Sequence, residues 1–300
     1  MYIVDMHCDS LLAVNGEHGL VRDYNFAKKY PHLQFVAEFC PKRGRDPEER
    51  RRLLIKHLNT YLYECERLSL ARVKEGKDVF DVCAERKSSV LLSVEGGGLF
   101  ATSAELDTLY GAGLRVLGMA WDDNELSACA WSEDDYGLTA SGKALAARCA
   151  ELGIILDASH LSDRAFYDTL AEYPMPILAT HSNFRDICPA KRNLTLEMAK
   201  NIASRGGVIG INLYPGFLRE GGADTDDIIR HIDYGLEMLG EDYIGFGFDI
   251  DGVDKYPTGI SLDRSIHEQV VELLLPRYSA TVVEKIAGLN VLEFLKNNLY

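Results

Sequence analysis

The segment GIILDASHLSDRAFYDTLAEYPMPILATH, residues 153–181, decides the architecture that the rest of the chain repeats. It contains two short apolar runs joined by one helical stretch, and each run closes on a histidine. Near-continuous apolar runs of this length are typical of parallel strands buried on both faces. Adjacent parallel strands lie about 4.8 Å apart, so we expect His160 and His181 to stand side by side.

The same alternation of apolar runs and amphipathic helical stretches recurs along the whole chain, as in repeated βα units. No linker or low-complexity segment interrupts it, which predicts a single domain over residues 1–300. Eight strands are predicted, at Tyr2–His7, Leu33–Phe39, Ser89–Glu95, Arg115–Trp121, Ile154–His160, Pro176–His181, Gly207–Tyr214 and Tyr243–Asp249.

Helix boundaries are marked by stripes, caps and glycines. Glu48–Lys74 carries apolar residues at spacings of three and four, which predicts one long helix. Capping residues and terminating glycines predict two more helices, one from Thr195 to Gly206 and one from Asp224 or Thr225 to Gly240.

Eight strands alternating with helices fit either a closed barrel or an open doubly wound sheet, and the pattern alone does not separate the two. The polar residues at the strand ends favour the barrel, because there side chains from different strands converge on one rim. Those residues are His7, Asp9, Glu95, His160, His181 and Asp249. The predicted fold class is therefore α/β, a single (β/α)8 TIM barrel of the metal-dependent hydrolase type.

Composition narrows the classes of partner. The formal net charge of −14 argues against nucleic acid, since phosphate binding needs a basic surface. The sequence has no run of 18 apolar residues and no secretory signal at its start, so we expect no membrane association. The seven cysteines are scattered and include no CxxC pair, which predicts a reducing compartment, the cytoplasm.

The strand ends carry residue types that bind metal. His7 and Asp9 are two residues apart on an extended segment, so both side chains point the same way and suit Zn²⁺. Glu95 closes the apolar run VLLSVE before three glycines, and its two oxygens could bridge two ions. The plainer readings are a satisfied polar strand end for the first pair and a rim salt bridge for Glu95.

His160, His181 and the pair Asp249 and Asp251 extend this set. A lone histidine at a strand end is usually a hydrogen-bonded core residue, but two at equivalent positions indicate a shared ion. Asp249 and Asp251 lie in GFGFDIDG, which could also be a simple turn. Several carboxylates and imidazoles at one rim would be poorly compensated without metal. Two divalent cations would offset them and create a bridging hydroxide nucleophile.

The other five histidines are expected to be structural. His18, His32 and His267 fall in predicted loops or near helix starts, and His57 lies beside the stripe of a helix. His231 is predicted to pack or to support the site from behind.

At this point the motifs resemble one family. DMHCDS, SVEGG, DASH, THSN followed by AKRN, and FGFDIDG are similar, in order and spacing, to the motifs of the membrane (renal-type) dipeptidases, peptidase family M19. The resemblance covers essentially the whole chain. It implies a (β/α)8 barrel of the amidohydrolase type that hydrolyses dipeptides with two zinc ions.

The resemblance also implies roles. His7 and Asp9 would bind one zinc, His160 and His181 the other, and Glu95 would bridge them. Asp249 would be the general acid/base that passes a proton to the leaving amine. Arg192 would bind the substrate's α-carboxylate, a bidentate task suited to a guanidinium. Relatives are commonly homodimers, so a homodimer is possible here.

One departure concerns substrate binding. Family members often have a histidine after the fourth strand, where this chain has Trp121, with Asn124 three residues on. Both are candidate substrate-binding residues. The leading interpretation is a zinc-dependent dipeptidase. The alternatives are another binuclear amidohydrolase, acting on a cyclic amide, lactone or N-acyl amino acid, and a catalytically inactive binding barrel, which an intact Asp249 argues against.

Overall fold

Short buried strands form the centre of the fold in the computed structural model, which describes residues 1–13, 29–39, 46–98 and 103–300. The prediction for His18 lies outside these residues. The strands are β1 Ile3–Cys8, β2 His32–Phe39, β3 Ala71–Arg72, β4 Ser89–Glu95, β5 Leu114–Gly118, β6 Ile155–Asp157, β7 Ile209–Ile211 and β8 Ile244–Phe246. Seven run parallel in the order β6-β5-β4-β2-β1-β8-β7, and β3 pairs beside β4. The fold is thus an α/β fold with a curled parallel sheet.

The helices lie between the strands. They are α1 Ser10–Ala13, α2 Pro47–Arg67, α3 Gly76–Glu85, α4 Ser103–Ala112, α5 Ala140–Leu152, α6 Asp163–Glu172, α7 Leu196–Ser204, α8 Pro215–Leu218, α9 Thr225–Leu239, α10 Ile266–Leu274, α11 Ala280–Glu284 and α12 Asn290–Asn298, with a π-helical turn at Lys285–Leu289 before α12. None of the described helices combines the length and the apolar character that crossing a membrane requires.

The prediction of one long helix over Glu48–Lys74 was wrong at its C-terminal end. α2 begins after Asp46, whose side chain accepts from the backbone N–H of Glu49, and it ends at Arg67. Ser69 then takes a left-handed conformation, and the next residues form β3 beside β4. Pairing with the sheet therefore overrides the helical periodicity after Arg67. The caps predicted for α7 and α9 are confirmed, because Thr195 and Asp224 accept from backbone N–H groups of the first turns.

The predicted strand at Pro176–His181 makes isolated bridges instead of a regular ladder. Leu178 bridges to Asp157 of β6, and Ala179 bridges to Ile209 of β7. Pro176 has no N–H to donate, and the N–H of Thr180 goes to the Asp157 carboxylate. The segment therefore lies between β6 and β7 without completing a strand of its own.

Two glycines bring this segment close to its neighbours. A side chain at Gly247 would place its Cβ 1.8 Å from the carbonyl oxygen of Thr180, and one at Gly210 would place it 2.1 Å away. Only glycine allows these approaches, so the end of β8 packs directly against the backbone that leads into His181. A third glycine, Gly288 in the π-helical turn, lets the C-terminal region contact β1, because its Cβ would lie 2.3 Å from the Tyr2 carbonyl.

Candidate active site

The six polar residues predicted at strand ends come together at one end of the sheet. Each is at most 9% exposed. His7 lies in β1 and Asp9 directly after it, while Glu95 is the last residue of β4. His160, His181 and Asp249 follow β6, the bridged segment and β8.

Glu95 is the centre of the cluster. Its Oε1 lies 2.8 Å from Nε2 of His160 and 3.2 Å from Nε2 of His181. Its Oε2 lies 3.7 Å from Nε2 of His7. The two oxygens of one buried carboxylate therefore face two different groups of histidines.

His7 faces carboxylates on several sides. Its Nε2 lies 3.6 Å from Asp9 Oδ2 and 3.8 Å from Asp249 Oδ1, and its ring stacks on that of His181 with centroids 3.7 Å apart. Burial works against the charged imidazole, but Glu95, Asp9 and Asp249 outweigh it and raise the pKa of His7 to about 10. This position therefore stabilises a positive charge.

His160 and His181 are in the opposite electrostatic situation. Burial, together with the positive charges of Arg192 and His7, lowers the pKa of both histidines well below the usual range. Neutral imidazole is the form that binds metal.

Three overlapping groups of side chains have the spacing to hold an ion. They are His7 with Asp9 and Glu95, Glu95 with His160 and His181, and His7 with His181 and Asp249. His7 Nε2 and Asp9 Oδ1 are buried and make no hydrogen bond with the described residues. Buried polar atoms of this kind are usually satisfied, so they indicate that a ligand belongs between them.

Residues behind His181 fix which nitrogen faces Glu95. Thr180 Oγ1 donates to the Asp157 carboxylate at 2.5 Å, and it lies 2.8 Å from His181 Nδ1. Because the hydroxyl has one proton, Oγ1 accepts from Nδ1–H, and Nε2 keeps its lone pair on the side that faces Glu95. Asp157 and Thr180 were missed as functional residues in the sequence, although Asp157 stands within the DASH motif.

Asp249 is held in place by Asn212, a residue that was not predicted as part of the site. Asn212 Nδ2 donates to Asp249 Oδ2 at 2.9 Å, which leaves Oδ1 facing His7. Burial, opposed by His7 and aided by Asp9, raises the pKa of the Asp249 carboxyl. Asn212 ends the apolar run GVIGIN, so the signal that identified the other site residues could have identified it.

The backbone is strained at the same place. His160, Asp249 and Asp251 have φ of 67°, 61° and 65°, and they are three of the five described non-glycine residues with positive φ. Such conformations persist only where the surroundings enforce them, and they concentrate at functional sites. Asp251 accepts a hydrogen bond from Ser10 at 2.9 Å and lines the cavity without joining the three ion-holding groups.

The site opens into a cavity of about 650 Å³ with several aromatic walls. Trp121 lines it, edge-on to Phe39 and with its ring centroid 6.3 Å from that of His160.

Asn124 does not line the cavity. Its amide donates to the Met119 carbonyl, and its carbonyl accepts from Leu126 N–H, so both groups hold the loop that contains Asn124.

Arg192 lies behind His181 and is 3% exposed. Its Nη1 donates to Ser182 Oγ at 2.8 Å and its Nη2 to the His181 carbonyl at 2.9 Å. The guanidinium therefore supports the histidine-bearing segment, and it is not among the cavity-lining residues. Nε is buried and makes no hydrogen bond with the described part of the chain.

The remaining described histidines are buried within the fold. His231 accepts from Phe184 N–H and contacts the Leu218 carbonyl, so it packs two loops together. His57 pairs with Glu38 at 2.9 Å. His32 lies in β2 and His267 in α10, so the prediction of loops was wrong for His32, whereas a position near a helix start was right for His267.

Comparisons with known sequences identify relatives of this chain. The family model for membrane dipeptidases (peptidase family M19) matches residues 1–298. An uncharacterized protein in the pqqA 5' region of Klebsiella pneumoniae is 33% identical over 229 residues, 72% of this chain and 84% of that protein. An uncharacterized dipeptidase of Schizosaccharomyces pombe is 31% identical over 221 residues, 70% of this chain and 53% of that protein.

Two solved structures are similar over the whole chain. A metallo peptidase from Rhodobacter sphaeroides, liganded with a phosphinate mimic of the dipeptide L-Ala-D-Ala, has a TM-score of 0.88 at 24% identity, covering 100% of this chain and 99% of that one. The metallo peptidase dipeptidase AC has a TM-score of 0.87 at 25% identity with the same coverage. With the family model matching almost every residue, the chain belongs to the membrane dipeptidase family, peptidase family M19.

Proposed function

We propose that this chain is a dipeptidase that uses two zinc ions held at the ends of its strands. The observation that carries the proposal is the position of Glu95, whose Oε1 faces His160 and His181 while its Oε2 faces His7. A bridging ligand of a two-metal centre needs this arrangement. The relatives described as dipeptidases support dipeptides as the substrate class.

The residues present fit the metal. Imidazole nitrogens and carboxylate oxygens are the donors that zinc prefers. A ligand between His7 Nε2 and Asp9 Oδ1 would satisfy two buried polar atoms, each of which costs about 1–3 kcal/mol when left unpaired. We assign His7 and Asp9 to one ion, His160 and His181 to the other, and Glu95 to both.

When bound, the two ions would lower the pKa of a water molecule and polarise the scissile carbonyl. The chain moves the proton. Asp249 Oδ1 accepts it from the attacking water and delivers it to the nitrogen of the leaving amine, while Asn212 holds Oδ2 in place.

We propose that Arg192 recognises the substrate's free carboxylate, because Nε is a buried donor that the described residues leave unused. A test compares a dipeptide with its C-terminal amide over a panel of sequences, with zinc added and then chelated. We expect cleavage of the acid only, and we expect chelation to abolish it. Arg192→Met should raise KM for the acid by about 10-fold or more and erase the preference for acid over amide, since carboxylate binding is nearly uniform between ground and transition states.

The burial of Arg192 is the observation that favours a second candidate. If the guanidinium only supports His181, the same metal centre would suit another binuclear amidohydrolase reaction, on a cyclic amide, lactone or N-acyl amino acid. Equal cleavage of acid and amide, or cleavage of such compounds alone, would favour that reaction over dipeptide hydrolysis.

The proposal extends to fold and setting. We propose one domain over residues 1–300 whose sheet closes into an eight-stranded barrel, supported by the bridges of Leu178 and Ala179 to β6 and β7. The free cysteines among the described residues support a reducing compartment, the cytoplasm. A homodimer stays a prediction.

Trp121 would form an apolar wall of the substrate pocket in place of the histidine of other family members.

A further inference from the structure

A buried carboxylate behind the candidate site, that of Asp5, accepts hydrogen bonds from the backbones of two segments that bear site residues. Asp5 lies in β1 and is 0% exposed. Its Oδ1 accepts from the backbone N–H of His7 at 3.2 Å and from that of Phe248 at 3.0 Å. One oxygen atom therefore ties β1 to the residue that precedes Asp249.

The other oxygen of Asp5 is held from a helix. His267 of α10 is fully buried, and its Nε2 lies 2.7 Å from Asp5 Oδ2. The imidazole also stacks on the ring of Phe248, with centroids 5.0 Å apart and planes 22° from parallel. α10 thus contacts the end of β8 both through the Asp5 carboxylate and through the Phe248 ring.

The contacts of Asp5 and His267 with Phe248 lie next to Asp249, whose backbone has a positive φ. Asp249 has a φ of 61°, in the left-handed region, which is unfavourable for residues with a side chain although aspartate adopts it more readily than most. The residue on its N-terminal side, Phe248, is fixed because its backbone N–H donates to Asp5 Oδ1. The residue on its C-terminal side is fixed because Ile250 O accepts from Asp9 N–H at 2.8 Å. Asp249 is therefore gripped on both sides.

We propose that Asp5 and His267 are a positioning pair that holds Asp249 in its left-handed conformation and aims its Oδ1 at the metal centre. The inference rests on the proposed role of Asp249 as the general acid/base. Neither residue lines the cavity, so neither touches substrate. Their effect should fall on the chemical step, since a displacement of about 1 Å in a reacting group can cost about 10²-fold in rate.

The experiment uses the full chain reconstituted with zinc. Asp5→Ala and His267→Phe should each lower kcat by about 10²-fold, with KM within about twofold and metal content unchanged. Asp5→Asn and His267→Gln should restore most of the rate. The asparagine oxygen can still accept both N–H groups while its amide faces His267, and glutamine returns a donor to Asp5. Crystal structures of the two damaging variants should show Asp249 with a negative φ.

A matched control comes from the other buried carboxylate–histidine pair, Glu38 and His57, both 1% exposed. His57→Phe should lower thermal stability as His267→Phe does, yet keep kcat within about twofold. A normal kcat in His267→Phe, loss of metal in place of kcat, or an unchanged φ at Asp249 would overturn the proposal, and His267→Phe carries the test alone if Asp5→Ala does not fold. If the wild type cleaves no dipeptide, the dipeptidase proposal fails, and the φ of Asp249 in the variants still decides on the pair.

Discussion

The two halves of the site differ in the charge that they stabilise. On the side of β1 and β8, His7 lies among Asp9, Glu95 and Asp249, and its pKa is raised to about 10. On the side of β6 and the bridged segment, His160 and His181 have pKa values well below the usual range, because burial and Arg192 disfavour the imidazolium.

This difference in histidine pKa implies that cation binding displaces protons differently in the two halves of the site. On the carboxylate side the raised pKa of His7 makes a proton compete with an arriving cation, whereas His160 and His181 present neutral imidazoles. Glu95 belongs to both sides through its two oxygens. A substitution next to one half should therefore alter the metal affinity or activity that depends on that half alone. A substitution of Glu95 should alter both halves together.

The largest effect is expected where the two halves meet. Glu95→Gln removes the charge that faces all three histidines, so both ions should be lost together. We expect metal affinity to fall by more than about 10²-fold, beyond the 10–100-fold typical of residues that only support a ligand, with activity falling in parallel. Elemental analysis after zinc loading checks this. Retention of one ion at full occupancy would show that Glu95 does not bridge.

The next effect should be confined to the carboxylate side. Asp249→Asn keeps the shape of the side chain but removes its capacity to take a proton, so kcat should fall by at least about 10²-fold while both ions stay bound. Asp251→Asn is the comparison variant, since Asp251 lines the cavity outside the three ion-holding groups, and its loss should be milder. Metal loss in Asp249→Asn would identify Asp249 as chiefly a ligand.

A smaller effect should separate the histidine side from the carboxylate side. Thr180→Val removes the hydroxyl that links His181 Nδ1 to Asp157, so the affinity of one ion should fall by about 10–100-fold. Thr180→Ser keeps the hydroxyl and should bind metal like the wild type. Stepwise zinc titration distinguishes the two sites, and equal weakening of both ions would contradict the assignment of His181 to one of them.

The smallest effect, about tenfold over a single pH unit, is a difference in the pH dependence of metal affinity. The His7 proton, with a pKa of about 10, competes with the cation, so affinity on the carboxylate side should rise by about tenfold per pH unit as pH increases towards 10. On the histidine side affinity should be flat across neutral pH, because His160 and His181 are already neutral there. Calorimetry in buffers of different ionisation enthalpy should detect more proton release when the first side is filled than when the second is.

The sequence was informative where polar residues interrupt apolar runs. His7, Glu95 and His181 were each predicted from an apolar run that ends in a residue type able to bind metal, because the carboxyl ends of parallel strands meet at one rim. The supporting residues were harder to find. Asp157 and Thr180 lie within the motifs, but only the hydrogen bonds between them show that they orient His181.

Other features depend on contacts between distant segments. The end of α2 could not be predicted because its helical periodicity continues while Ala71–Arg72 pair with β4. Asn124 stands at a suitable spacing from Trp121, yet its amide is consumed by its own loop. The role of Asp5 is invisible in the sequence, since its partner His267 is 262 positions away.

The position of β1 between β2 and β8 has a consequence for the order in which the protein becomes functional during synthesis. β1 gains β2 as a neighbour once residues 32–39 have been made, but its pairing with β8 and its contact with the π-helical turn wait until the ribosome has made residues 244–289. His7 and Asp9 are thus among the first side chains translated, and Asp249, which faces His7, is among the last of the site. The proposed metal centre is therefore complete only late in translation, and truncation of a nascent chain before β8 leaves it without Asp249, its proposed proton-transfer group.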